Sequence, residues 1–238
     1  MLAVFTDLDN CLLDHDTYDH APAQPALARL KACGAAIVCT TSKTRAEVEH
    51  WLREIGLSHP SIVENGGGVV LEDGRLEALG HPRAVITPAL REAAREAGAR
   101  IRCFAEMDTE EIAARCAMSL ERARLAAARE FSEPFVLENP DAESPLHEAL
   151  ARRGLRLTRG GRFHHALAHE GKHGAVAWLI ERWRREHETL ITIGIGDAPN
   201  DEGFLALVDH PLRLPPGDTG PAAWNRRVGQ VLDSLGCN

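Results

Sequence analysis

The sequence predicts an α/β fold in which a parallel sheet with helices packed on it carries an inserted α+β unit. Near both ends of the chain, short apolar runs alternate with helical segments, which is the pattern of a right-handed parallel α/β core. Acidic or hydroxyl side chains follow these apolar runs. The middle of the chain instead carries Ala- and Arg-rich helices with interspersed strands.

Composition limits the classes of function. A chain of 238 residues makes one large domain or two small ones. Its 27 basic and 35 acidic residues give a net charge of −8, which argues against nucleic acid as a main partner. No apolar run approaches the roughly 18 residues of a membrane span, so a cytoplasmic location is the default expectation. The cysteines and histidines lack the common zinc spacings.

The first strand, Leu2 to Phe5, ends just before two aspartates, Asp7 and Asp9. In an extended chain these two side chains point to the same side. The carboxyl ends of strands are also where open α/β sheets bind ligands. Both carboxylates could therefore face one metal ion and one phosphate, although a lone Asp-x-Asp pair is more often a turn or a helix cap.

A helix and a second strand continue the alternation. Proline in the first turn and Gly34 just past the end bracket a helix at 25–33, and residues 35–40 form a second buried strand. A capping box of Thr44 and Glu47 then starts another helix, which Gly56 ends.

Polar residues at the end of the second strand suit a phosphate. Thr41, Ser42 and Lys43 offer hydroxyls, an ammonium and free backbone N–H groups. A plain helix cap explains them equally well. Because neighbouring parallel strands end at one edge of a sheet, we expect these residues beside Asp7 and Asp9.

The chain changes character near residues 80–82. A third strand at 61–63, a glycine-containing segment at 64–68 and a hairpin at 69–79 precede this point. Beyond it, the predicted helices and strands cover residues 88–97, 100–104, 109–118, 120–129 and 134–138. We therefore expect residues 1–81 and 167–238 to form the core domain and residues 82–166 to form the inserted unit.

The last third of the chain returns to the core pattern. Lys172 opens an amphipathic helix, although the positive end of a helix dipole does not favour a lysine, which hints at a local anion. The strand at 189–195 leads into Asp197 and Asp201. A strand at 208–214 and a helix at 224–235 close the chain.

Taken in order, these motifs resemble the four motifs of the haloacid dehalogenase-like (HAD) phosphatase superfamily, and the insertion resembles its α/β "C2" cap. Further stretches are similar to mannosyl-3-phosphoglycerate phosphatases, at residues 41–44, 64–67, 129–135, 160–165, 171–172, 196–201 and 220–225. The stretch around Arg129 is the most specific to that family. One departure is that Asn10 and Cys11 stand where the superfamily usually has Gly-Thr, which leaves the geometry of this loop open.

The resemblance implies roles for these residues. Asp7 is the nucleophile that forms an aspartyl-phosphate, and Asp9 is the general acid and then the base. One Mg²⁺ is held by Asp7, the Asp9 carbonyl and Asp197. Asp201 orients Lys172. The phosphate-binding residues are Thr41, Ser42, Lys172 and Asn200, and the substrate-binding candidates are Lys43, Asn65, Arg129, Glu130, Arg162 and His165.

The implied reaction is Mg²⁺-dependent hydrolysis of mannosyl-3-phosphoglycerate to mannosylglycerate. Three alternatives stay open. The first is hydrolysis of glucosyl-3-phosphoglycerate or of another sugar phosphate such as sucrose phosphate. The second is a phosphomannomutase, and the third is a catalytically silent binding protein. The presence of both aspartates of the first motif, Lys172 and Asp197 argues against the silent protein.

Overall fold

The computed structural model describes residues 1–159 and 163–237. Within these ranges, the strands are β1 Leu2–Thr6, β2 Ala36–Thr40, β3 Ser61–Val63, β4 Gly68–Val70, β5 Leu76–Ala78, β6 Ile101–Cys103, β7 Ser132–Leu137, β8 Arg156–Arg159, β9 His164–Leu167, β10 Ile191–Gly196 and β11 His210–Arg213. The α-helices there are α1 Gln24–Ala32, α2 Arg45–Ile55, α3 Arg83–Glu96, α4 Thr109–Cys116, α5 Leu120–Ala127, α6 Glu143–Ala151, α7 Lys172–Glu186, α8 Glu202–Leu205 and α9 Gly220–Ser234.

The larger sheet has the order β11-β10-β1-β2-β3-β4-β5 within the described ranges. Strands β11, β10, β1, β2 and β3 are parallel, and β4 and β5 add an antiparallel edge. Helices α1, α2 and α9 pack on one face, and α7 and α8 pack on the other. Val4 of β1 faces the first layer and Phe5 the second, so both are fully buried. Burial on both faces explains why β1 is a continuous apolar run.

Local signals set the ends of α2. The Thr44 hydroxyl accepts a hydrogen bond from the Glu47 N–H at 3.1 Å, and the Glu47 carboxylate accepts one from the Thr44 N–H at 2.9 Å. Gly56 ends the helix with a φ of 69°, a backbone conformation that favours glycine. The predicted capping box and glycine end are confirmed, and they fix where α2 leaves the ligand-binding edge of the sheet.

The smaller sheet, β6-β7-β9-β8 in the described part of the chain, is antiparallel and lies between β5 and α7 in sequence. Helices α3 and α6 pack against it. Glu133 of β7 is fully buried, and its carboxylate accepts hydrogen bonds from Arg83 Nε at 2.7 Å and Thr87 Oγ1 at 2.5 Å. This buried pair ties the first turn of α3 to the sheet.

The expected start of the first inserted helix is wrong. Helix α3 begins at Arg83 rather than at residue 88, and Pro88 lies inside it. A proline in a helix interior costs about 3 kcal/mol. The buried contacts of Ile86 and the ion pair between Arg83 and Glu133 offset this cost, and none of them is a local sequence signal.

The insertion has two further features that bear on the sequence predictions. Helix α6 was not predicted. Strand β9 ends at Leu167, one residue past the predicted boundary, and the limits 82 and 166 stay a prediction. Over the described ranges, no helix combines the length and hydrophobicity needed to cross a membrane.

Candidate active site

Asp7 lies at the carboxyl end of β1, the middle one of the five parallel strands in the larger sheet, and is 8% exposed. Its N–H donates to the Ile195 carbonyl of β10 at 2.9 Å, and its carbonyl accepts from Thr6 Oγ1 at 2.8 Å. Backbone hydrogen bonds therefore fix the position of Asp7, while its carboxylate is left for contacts with side chains.

Lys172, at the start of α7, lies between two carboxylates. Its Nζ is 2.9 Å from Asp7 Oδ1 and 2.7 Å from Asp201 Oδ1. Burial disfavours the charged form of Lys172, but the two carboxylates outweigh it and hold its pKa above the ordinary value. The anion suspected from a lysine at a helix start is therefore this pair of aspartates.

For Asp7, burial is the largest influence on the pKa. It raises the pKa of the Asp7 carboxyl to about 7, against the opposing charge of Lys172, and the charges of Asp201 and Asp9 raise it further. A cation next to this carboxyl group would favour the ionised form that a nucleophile needs.

Asp197 follows β10 and joins the same cluster. Its carboxylate accepts hydrogen bonds from Asn10 Nδ2 at 2.7 Å and from Cys11 Sγ at 3.5 Å. Ligand atoms of Asp7, Cys11 and Asp197 all lie within 4.8 Å of one another. Asp201 also accepts from the Asp197 N–H at 3.1 Å, so one carboxylate supports both Lys172 and the Asp197 backbone.

The donor set at this edge fits a magnesium ion. Lys172 contacts Asp7 and Asp201, and Lys43 contacts Asp9. The Asp197 N–H donates to Asp201, so four aspartates and two lysines meet at this edge. When all are ionised, the excess is two negative charges, which one divalent cation balances. Carboxylate oxygens are the hard ligands that Mg²⁺ prefers.

The second strand end lies beside the first, as predicted. Lys43, just past β2, places its Nζ 2.8 Å from Asp9 Oδ1. The Lys43 N–H donates to Thr41 Oγ1 at 3.2 Å. Thr41 is fully buried, and its N–H donates to the Ile62 carbonyl of β3 at 3.0 Å. An aspartate that follows β1 and a lysine that follows β2 are thus in direct contact.

The glycines after β3 bring a further strand end to the same place. A Cβ on Gly66 would lie 2.3 Å from the Gly171 carbonyl oxygen, and Gly66 has a φ of 100°, so only glycine fits. This close approach accompanies a hydrogen bond of 3.2 Å from Asn200 Nδ2 to Asn65 Oδ1. The glycines after β3 therefore allow the backbone to pack closely against Gly171, the residue just before α7.

Arg129 reaches from the inserted unit to the core. Its Nη1 donates to the Ser42 carbonyl at 2.7 Å and to Ser132 Oγ at 3.3 Å. Its Nε donates to the Ala126 carbonyl at 3.2 Å. The guanidinium is thus fixed directly beside the Thr41–Lys43 segment.

A cavity of about 280 Å³ separates the two parts of the protein. Its core wall includes Asp9, Ser42 and Lys43, and its opposite wall includes Arg129 and His165. His165 is 9% exposed, and within the described residues its Nδ1 has no hydrogen-bond partner. Burial, with Arg129 and His164 nearby, lowers its pKa to about 3, so the imidazole is neutral.

Asn65 and Glu130, both predicted to bind substrate, do not line this cavity. Asn65 Oδ1 accepts a hydrogen bond from Asn200 Nδ2. The Glu130 carboxylate instead contacts Arg45 of α2, with Nε and Oε1 3.0 Å apart. Arg162 lies outside the described residues, as do Gly160 and Gly161 of the same stretch. Their substrate roles stay predictions.

Glu64 is a residue whose importance the sequence did not indicate. Its fully buried carboxylate accepts from the Glu130 N–H at 2.6 Å, the Phe131 N–H at 3.1 Å and Ser132 Oγ at 2.5 Å. It therefore anchors the segment that carries Arg129. The only signal was its place in the Glu-Asn-Gly-Gly stretch.

A second missed contact lies next to Lys43. Tyr18 stacks on Trp51 of α2 with ring centroids 5.5 Å apart. The Arg122 guanidinium of α5 lies 3.9 Å from the Tyr18 centroid and 4.8 Å from that of Trp51. These residues are distant in sequence, so no local pattern could have paired them.

Known proteins similar to this chain are phosphatases and haloacid dehalogenase-like hydrolases. A family model described as haloacid dehalogenase-like hydrolase matches residues 4–90. A glucosyl-3-phosphoglycerate/mannosyl-3-phosphoglycerate phosphatase of Methanococcoides burtonii is 31% identical, over 99% of this chain and 97% of the relative. One of the same name from Persephonella marina is also 31% identical, over 99% of this chain and 100% of the relative.

The chain belongs to the mannosyl-3-phosphoglycerate phosphatase family of the HAD superfamily. It is accordingly a phosphatase. A solved HAD-superfamily phosphatase of Bacteroides thetaiotaomicron superposes with a TM-score of 0.71 at 18% identity, over 100% of this chain and 96% of that one. The predicted fold class, an α/β core with an inserted α+β cap, is confirmed.

Proposed function

We propose that this phosphatase hydrolyses mannosyl-3-phosphoglycerate to mannosylglycerate and phosphate, with Mg²⁺ and through an aspartyl-phosphate on Asp7. The observation that carries the proposal is the position of the Asp7 carboxylate, which lies between Lys172 and the cluster that includes Asp197. A carboxylate held beside an ammonium and a candidate Mg²⁺ site at the edge of a parallel sheet is suited to attack phosphorus.

In the first step, Asp7 forms a bond to phosphorus as the bond to the leaving oxygen breaks. Asp9 gives its proton to that oxygen and then takes a proton from the water that hydrolyses the aspartyl-phosphate. The contact between Asp9 and Lys43 fixes Asp9 beside the space for the leaving group. The carboxylate that pairs with an ammonium is the form that takes the proton from water, and Asp9 must carry a proton to act first as the acid.

Asp7, the Asp9 carbonyl and Asp197 are the proposed Mg²⁺ ligands. When bound, Mg²⁺ supplies positive charge that offsets the repulsion between the attacking carboxylate and the phosphate. Lys172 contributes charge from the other side and is oriented by Asp201.

The phosphoryl oxygens are bound by residues from the end of β2, the start of α7 and the segment after β10. Thr41 and Ser42 offer groups at the end of β2, Lys172 offers an ammonium, and Asn200 offers an amide. Phosphoryl transfer depends mainly on such positioning and charge stabilisation.

The cap side of the cavity recognises the leaving group. Arg129 suits the glycerate carboxylate, and the neutral imidazole of His165, with its unpartnered Nδ1 among the described residues, suits a hydroxyl. From the core, Lys43 lines the cavity, and Asn65, which is hydrogen-bonded to Asn200 outside the cavity lining, completes the proposed set. Glu130 joins it only by leaving Arg45.

The sugar is mannose or glucose. Both curated relatives carry both substrates in their names, which supports glucosyl-3-phosphoglycerate as the alternative. These phosphatase relatives also favour hydrolysis over a mutase reaction.

The test measures phosphate release from mannosyl- and glucosyl-3-phosphoglycerate in parallel, with Mg²⁺ and with a chelator. We expect fast release from at least one ester with Mg²⁺, near-complete loss with chelator and recovery when Mg²⁺ is added back. Release from a generic phosphomonoester but from neither sugar ester would contradict the substrate while leaving the core chemistry intact.

A further inference from the structure

The loop after Asp9 departs from the superfamily pattern and is connected to the metal site. Asn10 has a φ of 57°, a left-handed conformation that favours glycine and that asparagine tolerates better than most residues. The usual glycine is therefore replaced by a residue that keeps its backbone geometry and adds an amide.

The Asn10 amide joins two distant parts of the chain. Its Nδ2 donates to Asp197 Oδ2 at 2.7 Å, and its Oδ1 accepts from Thr219 Oγ1 at 2.9 Å. An ionised carboxylate can accept hydrogen bonds but cannot donate them, so the amide nitrogen of Asn10 must face Asp197. The Asn10 carbonyl also accepts from the Gly220 N–H at 2.7 Å, at the start of α9.

Cys11 contacts the same carboxylate more weakly. Its Sγ lies 3.5 Å from Asp197 Oδ1, and a thiol is a poor donor compared with an amide or a hydroxyl. A threonine at position 11 would place a hydroxyl near this carboxylate. The strong donor to Asp197 therefore comes from position 10 in this chain.

We propose that Asn10 is a positioning residue for Asp197, and that its amide does the work that a threonine hydroxyl at position 11 would otherwise do. The proposal rests on the proposed function, in which Asp197 holds Mg²⁺. Each Asp197 oxygen accepts one of these hydrogen bonds, so lone pairs remain for a cation. Partners of this kind fix the orientation of a metal-binding side chain before the ion arrives.

The test compares Mg²⁺ binding by isothermal titration calorimetry in wild type, Asn10→Gly, Cys11→Thr and the double variant. Glycine suits the φ at position 10, so Asn10→Gly removes the side-chain bonds without backbone strain. We expect its Mg²⁺ affinity to fall by about tenfold. The double variant should return to within about threefold of wild type, because it restores a strong donor to Asp197.

Ala117→Gly is the matched control, since Ala117 also has a positive φ, 54°, but lies in the inserted unit. The Mg²⁺ affinity of Ala117→Gly should equal that of wild type. Without Mg²⁺, the unfolding temperature of Asn10→Gly should also lie within a few degrees of the wild-type value.

Wild-type Mg²⁺ affinity in Asn10→Gly, or no recovery of affinity in the double variant, would overturn the positioning role of Asn10. Either result would leave the proposed function intact. A wild-type protein that binds no Mg²⁺ would instead overturn the proposed function and this inference together.

Discussion

The two walls of the cavity differ in how completely their side chains are held. We take the core wall to include, besides Asp9 and Lys43, the neighbouring cluster of Asp7, Lys172 and Asp201. Lys172 and Asp201 are buried, and each makes at least two short polar contacts. On the cap wall, Arg129 is hydrogen-bonded through Nε and Nη1 but only half-buried, and His165 has an Nδ1 without a partner in the described part of the chain. Groups that are fixed before substrate arrives suit phosphoryl transfer, whereas groups with spare hydrogen-bonding capacity suit recognition of a leaving group.

The largest expected effect is on the core wall. We expect Asp7→Asn to lower phosphate release from every ester by at least roughly 10⁴-fold, about 5.5 kcal/mol of transition-state stabilisation, because the amide cannot attack phosphorus. The unfolding temperature should change by only a few degrees, since the isosteric amide keeps the backbone bonds of residue 7. The exposed Asp73→Asn is the control, with wild-type rates. Appreciable residual turnover would remove Asp7 from the nucleophile role.

Replacing the buried lysine tests whether the core wall is held electrostatically. Lys172→Met leaves Asp7 and Asp201 without their ammonium, which should lower the unfolding free energy by about 3–5 kcal/mol. The pKa of Lys172 is raised in the folded protein, so its stabilisation is fully present at pH 7. Denaturant unfolding measures the loss.

The loss in Lys172→Met should shrink at lower pH, because protonation of the carboxyl groups removes their repulsion. The exposed Lys31→Met serves as control, since the Lys31 ammonium donates to the Gly56 backbone carbonyl rather than to a carboxylate. A pH-independent loss would mean that packing, rather than charge, holds this wall.

The anchor between the two walls should have an intermediate effect. Glu64→Gln places an amide NH₂ against one or more of the three donors that Glu64 now accepts from. We expect the unfolding free energy to fall by about 1–3 kcal/mol. The exposed Glu148→Gln should change it by less than about 0.5 kcal/mol. Equal effects of the two would show that the buried carboxylate does not tie the walls together.

The smallest effect should come from the contact between Arg45 and Glu130. This pair is more than 30% exposed on both sides, so Arg45→Ala should cost at most about 1 kcal/mol. We also expect KM for the sugar ester to stay within about twofold. A large rise in KM for Glu130→Gln, without one for Arg45→Ala, would assign the Glu130 carboxylate to the substrate after all.

The sequence predicted the core wall better than the cap wall for physical reasons. Parallel strands end at one edge, so polar residues after β1, β2 and β10 had to converge. Strand β3 was predicted at its observed limits, and the capping box set the start of α2. These signals are local or follow from topology.

The cap wall depends on contacts between residues far apart in sequence. The start of α3 is set by a buried ion pair with β7, and Glu130 turns to Arg45 rather than to the cavity. The stack of Arg122 on Tyr18 and Trp51 likewise joins the cap to the core. Neither periodicity nor capping residues carry information about such pairs.

The most direct test of the division between the walls is kcat/KM for two esters, the sugar phosphoglycerate and an aryl phosphate, in Asp7→Asn, Arg129→Ala and the exposed control Arg124→Ala. We expect Asp7→Asn to lose both activities equally, Arg129→Ala to lose the first far more than the second, and Arg124→Ala to match wild type. Equal losses on both esters in Arg129→Ala would contradict the assignment of leaving-group recognition to the cap wall.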